Sequence, residues 1–123
     1  MQKLFLKMSI LFAAISVILG AFGAHALKEM IDEKHLLTFE TGVRYQFYHA
    51  LGLMLASMLY KEYSNKFTLW ACRFFVIGVC LFSGSLYALA LLNGSYSFIG
   101  AITPFGGLSF IIGWLLLLKS ISK

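Results

Sequence analysis

From Phe74 to Leu92, and again from Phe98 to Leu118, the chain carries no Asp, Glu, Lys or Arg. Each run supplies roughly the 20 apolar residues that a helix needs to cross a hydrocarbon core of about 30 Å. A third stretch, Met8 to Leu27, is interrupted only by His25. One small core cannot hide three such runs from water. Apolar residues make up 60% of the 123 residues and charged ones 12%, against about 45–50% and about 25% in soluble domains. The 16% aromatic content excludes disorder. The chain is expected to be all-α and integral to a membrane.

A fourth span is less obvious. Tyr45 to Tyr60 is uncharged but gives only about 24 Å of helix at 1.5 Å per residue. The helix must therefore start by Thr41 and carry Arg44 just inside one boundary. The architecture expected is a single transmembrane domain over residues 1–123, an antiparallel four-helix bundle with spans near 5–27, 41–60, 67–92 and 98–118. Short turn-rich links at Lys61 to Lys66 and Asn93 to Ser97 force antiparallel neighbours. In the longer link, Asp32 followed by Glu33 reads as an N-cap with an acidic first turn. Leu36, Phe39 and Val43 then recur at helical spacing, which predicts a short interfacial helix running into the second span.

Basic residues set the orientation. Lys3, Lys7, Lys61, Lys66, Arg73, Lys119 and Lys123 fall on one side, and Lys28, Lys34 and Arg44 on the other. Seven against three places both termini in the cytoplasm, with the chain in the plasma membrane. The net charge of +5 is then a matter of topology and lipid head groups rather than nucleic acid. Ala24-His25-Ala26 resembles a signal-peptide cleavage site, but the apolar stretch before it is as long as a span, so retention is expected. Cys72 and Cys80, about 12 Å apart along one helix, are too distant for a disulfide.

With this topology the intramembrane polar residues gather in the outer half of the bilayer. Counted at 1.5 Å per residue, His25 lies about 3 Å deep, Arg44 about 4–5 Å, Thr103 about 7–8 Å, Ser85 about 10 Å, His49 about 12 Å and Ser83 about 13 Å. Glu40 and Arg44 are spaced i, i+4 with the acid first, as are Tyr45 and His49. Glu40 neutralises Arg44, or Arg44 holds an anionic head group or substrate. His49 is deep enough to need a partner: Ser83, Ser85 or Thr103 across the bundle, or a ligand or proton. Metal binding by His25 with His49 lacks a third ligand, and no cofactor is implied. His25, Glu40, Arg44, Tyr45, His49, Ser83, Ser85, Tyr87 and Thr103 thus form an outer-half cluster. It either lines a shallow pocket or satisfies itself completely.

Small residues mark helix contacts: Ser16, Gly20, Gly23 and Ala24 in the first span, Gly52 in the second and Gly84 in the third. Pro104, the one proline, clashes with the carbonyl of Gly100 if it lies inside a helix, so a kink over Ile102 to Gly106 is expected.

Four segments, GAFGAHAL (20–27), TFETGVRYQFYHAL (38–51), FSGSLYALAL (82–91) and GAITPFGGLSFIIGW (100–114), together resemble the family of domain of unknown function 423. That family includes bacterial four-span proteins and eukaryotic relatives of transmembrane protein 256. Gly42 departs from the alanine more usual there. The resemblance spans essentially the whole chain and implies a multi-pass bacterial plasma-membrane protein, without implying an activity. Three classes of function follow. The first is a non-catalytic component that binds membrane lipids, itself as a homo-oligomer, or a larger membrane complex. The second is an oligomeric transporter or channel component for a small solute or proton. The third is an enzyme on a lipid or quinone. No nucleophile–base set, ligand cluster or phosphate loop favours the third, so a non-catalytic role is expected.

Overall fold

A computed structural model describes residues 2–92 and 97–122. It is helical, with no strand among the described residues. Helix α1 is Gln2–Ala24. A 3-10 turn at Leu27–Glu29 leads to α2, Glu33–Glu62. Helix α3, Lys66–Gly78, continues through a π-helical turn, Val79–Ser83, into α4, Gly84–Leu91. The short α5 is Ser97–Gly100, and α6 is Thr103–Ile121. The turn expected over Asn93 to Ser97 lies, for residues 93–96, outside the described residues.

Helix starts follow their caps. Asp32, extended, accepts from the backbone N–H of His35 at 2.8 Å. That bond and the His35 ring hold the Asp32 carboxyl below its ordinary range. Asn65 accepts from the N–H groups of Phe67 and Thr68, and its amide donates to the Ser120 carbonyl at 3.1 Å, tying the α2–α3 link to the end of α6.

Two expectations about local structure change. The interfacial helix is not separate: once Asp32 starts α2, no breaker interrupts it, and residues 33–62 form one rod of about 45 Å. Pro104 opens a helix rather than kinking one. The chain turns at Ala101 and Ile102 through bonds to the carbonyls of Phe98 and Ile99, and Pro104 sits in the first turn of α6. Its missing N–H there needs no intrahelical partner.

Helix α2 is central. It packs against α1 on one flank and against α3 and α4 on the other, and α6 lies along α3. Its buried residues Phe39, Gly42, Gln46, His49, Leu53 and Ala56 alternate spacings of three and four, the period of helices wound closely together. The main core joins Phe5, Leu53, Ala56, Cys72, Phe75 and Phe110; a smaller one joins Leu27, Phe39 and Ala90. Leucine, isoleucine, valine and phenylalanine cover the outward faces of α1 and α6, among them Ile10, Val17, Ile18, Phe105, Ile111 and Leu118.

Three helical stretches are long and apolar enough to cross a membrane: Gln2–Glu29, Lys66–Leu91 and Phe98–Ile121. Helix α2 is long enough, but Arg44, Gln46, His49 and its tyrosines lower its hydropathy. Of these, Gln46 and His49 are turned inward and buried.

Aromatic rings fill the seams over glycines. A Cβ built on Gly106 falls 2.3 Å from the backbone nitrogen of Phe82; on Gly78 it falls 2.3 Å from the Phe110 ring, and on Gly113 2.7 Å from that of Phe75. These three contacts bring α6 and the third span together. Of the small residues expected at contacts, Ser16 is buried, and Gly23 and Gly52 face the rings of Phe39 and Trp114 at 3.2 and 3.0 Å. Gly20 meets Val43 at an ordinary 3.6 Å and Gly100 meets Leu89 at 4.0 Å. Ala24 and Gly84 do not serve this way: Ala24 is exposed, and a Cβ on Gly84 has nothing within 4 Å.

Candidate functional site

The expected outer-half cluster resolves into separate groups. His49, 6% exposed, sits among aromatic rings. Its imidazole stacks on Phe110 with centroids 3.5 Å apart and planes 8° from parallel. The Trp114 indole N–H donates to Nε2 at 3.0 Å, and Nδ1 lies 2.8 Å from the Tyr45 carbonyl oxygen. An indole nitrogen only donates and a carbonyl only accepts, so these partners assign the neutral tautomer protonated on Nδ1. The partner of His49 is therefore Trp114 on α6, not Ser83, Ser85 or Thr103. A cleft of about 400 Å³ opens beside the stack, lined by Tyr45, His49, Phe82, Phe110, Ile111 and Trp114, with Gly107 at its edge.

The hydroxyls are occupied elsewhere. Ser83 donates to the Gly42 carbonyl at 2.7 Å, Ser85 and Thr103 meet at 2.5 Å, and Ser85 also reaches the Phe82 carbonyl. Tyr87 donates to the side-chain oxygen of Gln46 at 2.6 Å, and the Gln46 amide donates to the Phe12 carbonyl at 2.9 Å. Gln46 thus links three helices, α1, α2 and α4. Sequence reasoning passed it over, although it shares the buried stripe of Phe39, Gly42 and His49. Among the described residues every buried side-chain nitrogen and oxygen has a hydrogen-bond partner.

The charged members lie apart from this interior. His25 is exposed beyond the end of α1. Glu40 is half-buried and Arg44 exposed, both along the α1–α2 seam. The expected Glu40–Arg44 pair does not form: Arg44 Nη2 donates at 3.1 Å to Thr41 Oγ1, a neutral partner. The one ion pair among the described residues is His35 with Asp32.

Arg44 sits where two clefts meet. One, of about 260 Å³, is lined by Ser16, Val17, Val43, Phe47 and Tyr48 as well as Arg44. The other, of about 200 Å³, adds Leu19, Gly20, Gly23, Phe39 and Glu40 to Val43 and Arg44. The small side chains of α1 leave this groove open. Its walls are apolar and its only charged lining groups are Glu40 and Arg44. No cluster of three or more His, Cys, Asp or Glu side chains placed to hold a metal occurs among the described residues.

The model of the family described as a protein of unknown function (DUF423) matches residues 19–107. A UPF0382 membrane protein of Staphylococcus haemolyticus is 44% identical over 99% of this chain and 98% of its own. The UPF0382 membrane protein YwdK of Bacillus subtilis is 40% identical over 99% and 98%. The UPF0382 inner membrane protein YgdD of Escherichia coli is 38% identical over 91% and 87%. No solved structure matches.

Proposed function

The chain belongs to the DUF423 family, and from that premise we propose a non-catalytic, four-span plasma-membrane protein that binds membrane phospholipid, alone or as an accessory subunit. One observation carries this reading: Arg44 stands at an apolar groove with only a neutral hydroxyl as partner. A guanidinium at the edge of hydrocarbon is costly without an anion, and a head-group phosphate supplies one in the fork geometry that guanidinium prefers. The interior polar side chains are spent on one another, which favours binding at the surface over chemistry inside. Helix α2 serves as the fourth span in this reading, since it lies between helices that are long and apolar enough to cross.

Phospholipid added to the detergent-purified protein is expected to raise its melting temperature, and native mass spectrometry to find phospholipid bound. Ligand at a hundred times its Kd stabilises by about 2.7 kcal/mol, well within reach of a thermal scan. No stabilisation by any phospholipid would overturn the reading. With both termini cytoplasmic, a membrane-impermeant thiol reagent applied to intact cells should label Met30→Cys and spare Ser64→Cys in a background without Cys72 and Cys80. The opposite pattern reverses the orientation.

A further inference from the structure

Along the α1–α2 seam, charge and apolar surface follow one another in a definite order. Glu40 lies one helical turn nearer the Asp32 end of α2, where the chain leaves the bundle, and Arg44 follows one turn deeper. Beyond Arg44, away from that end, the groove is walled by Val17, Phe47 and Tyr48, with the buried Ser16 behind them. From the membrane edge inward the seam therefore offers a carboxylate, a guanidinium and a hydrocarbon slot. The order is the same whichever side of the membrane the seam faces.

Glu40 and Arg44 are at the spacing that ordinarily pairs on a helix, yet Arg44 turns to Thr41 instead. Two opposite charges left apart at a membrane edge each call for a counter-charge. We propose that this seam binds an aminophospholipid, whose head group carries a phosphate and, farther out, a primary ammonium. The phosphate meets Arg44, the ammonium meets Glu40, and one acyl chain lies in the slot between α1 and α2. A phosphoglycerol head group satisfies Arg44 alone and leaves Glu40 unmatched. A choline head group brings a cation with no N–H to donate. The inference rests on the phospholipid-binding reading above and adds the head-group class and the residues that select it.

The test compares phosphatidylethanolamine, phosphatidylglycerol and phosphatidylcholine of identical acyl chains, added to the purified full-length protein. Binding is read by native mass spectrometry and by the shift in melting temperature. The parent should bind the ethanolamine lipid most tightly. Arg44→Gln should weaken binding of all three by about tenfold or more, as expected for losing a charge-assisted contact; Arg44→Lys should recover part of it. Glu40→Gln should keep phosphate-dependent binding and lose the preference for ethanolamine. Glycerophosphoethanolamine, which has the head group but no acyl chains, should bind far more weakly than the lipid. Equal binding of the three lipids, or an unchanged preference in Glu40→Gln, would overturn this inference while leaving phospholipid binding standing. Failure of all three lipids to bind would instead remove the reading on which it rests. A chain-to-chain complex that buries Arg44 with no lipid bound would assign the groove to a second copy and overturn the proposal.

Discussion

Gly106→Ala should all but abolish the folded protein, while Gly84→Ala leaves it unchanged or slightly more stable. Both add one methyl to a glycine in the same membrane protein. The Cβ of residue 106 would lie 2.3 Å from the backbone nitrogen of Phe82 and 2.7 Å from its Cα. Backbone has no rotamer to yield, so α6 must move away from the third span. That separates the neighbouring seams where Gly78 and Gly113 receive the rings of Phe110 and Phe75. Overpacking costs about 1–3 kcal/mol where side chains can adjust and more where they cannot, so a cost above about 3 kcal/mol is expected at residue 106. At residue 84 an added methyl meets nothing, and helix propensity favours alanine over glycine by up to about 1 kcal/mol. Thermal unfolding in detergent of the two variants beside the parent decides the matter. A Gly106→Ala protein with parental stability would mean that α6 does not approach Phe82 this closely.

The second large effect is expected at His49. His49→Leu removes the ring stacked on Phe110 and leaves the buried Trp114 N–H without its acceptor. The orphaned donor costs about 1–3 kcal/mol and the lost ring contact about 0.5–1.5 kcal/mol, for a combined cost of roughly 2–4 kcal/mol. Trp114→Phe removes only the N–H and trims the indole. Interhelical hydrogen bonds in membranes average about 0.6 kcal/mol and reach about 1.7, so this variant should cost clearly less. The double variant should fall short of the sum, because the two residues share one contact. Equal losses from the two single variants would assign the stability to the hydrogen bond rather than to the stack.

The sequence made the apolar architecture legible because lipid-facing helices carry their apolar surface all round. Long uncharged runs marked the first span, the third and α6 without any knowledge of contacts. Helix α2 was harder because its polar residues face inward. Its length followed from the Asp32 cap, but residues 33–40 at the spacing of Leu36, Phe39 and Val43 read equally well as a separate interfacial piece. The break before Pro104 was placed one turn late, since a proline looks alike inside a helix and in its first turn until the preceding backbone bonds are known.

The site was legible in its ingredients and not in its pairings. His49 was identified as needing a partner, but Trp114, whose indole carries a single donor and no acceptor, stood 65 positions away among apolar neighbours. Gln46 was hidden as one uncharged polar residue in an aromatic stretch. The alternation of three and four through Phe39, Gly42, Gln46 and His49 was the signal that could have found it. The Glu40–Arg44 spacing suggested an intrahelical pair, and the competing Thr41 hydroxyl on the same helix face took the guanidinium instead. The seven-residue interval from Gly106 to Gly113, which places two receiving positions on one face of α6, was visible in the sequence, but the rings that fill them belong to another span.

The π turn at Val79–Ser83 fixes the angular phase of everything that follows it. Such a turn holds one residue more than an α turn, and each residue of an α-helix advances the azimuth by about 100°. Deleting a single residue between 79 and 83 would preserve the length and apolarity of the span almost unchanged. It would nevertheless rotate α4 by about a quarter of a circle against α3. Ser83 would swing away from the Gly42 carbonyl and Tyr87 from Gln46, while Phe75 kept its place against α6. For this helix, residue number works as a dial setting, and a one-codon deletion that hydropathy would not notice would turn the hydroxyls toward the acyl chains.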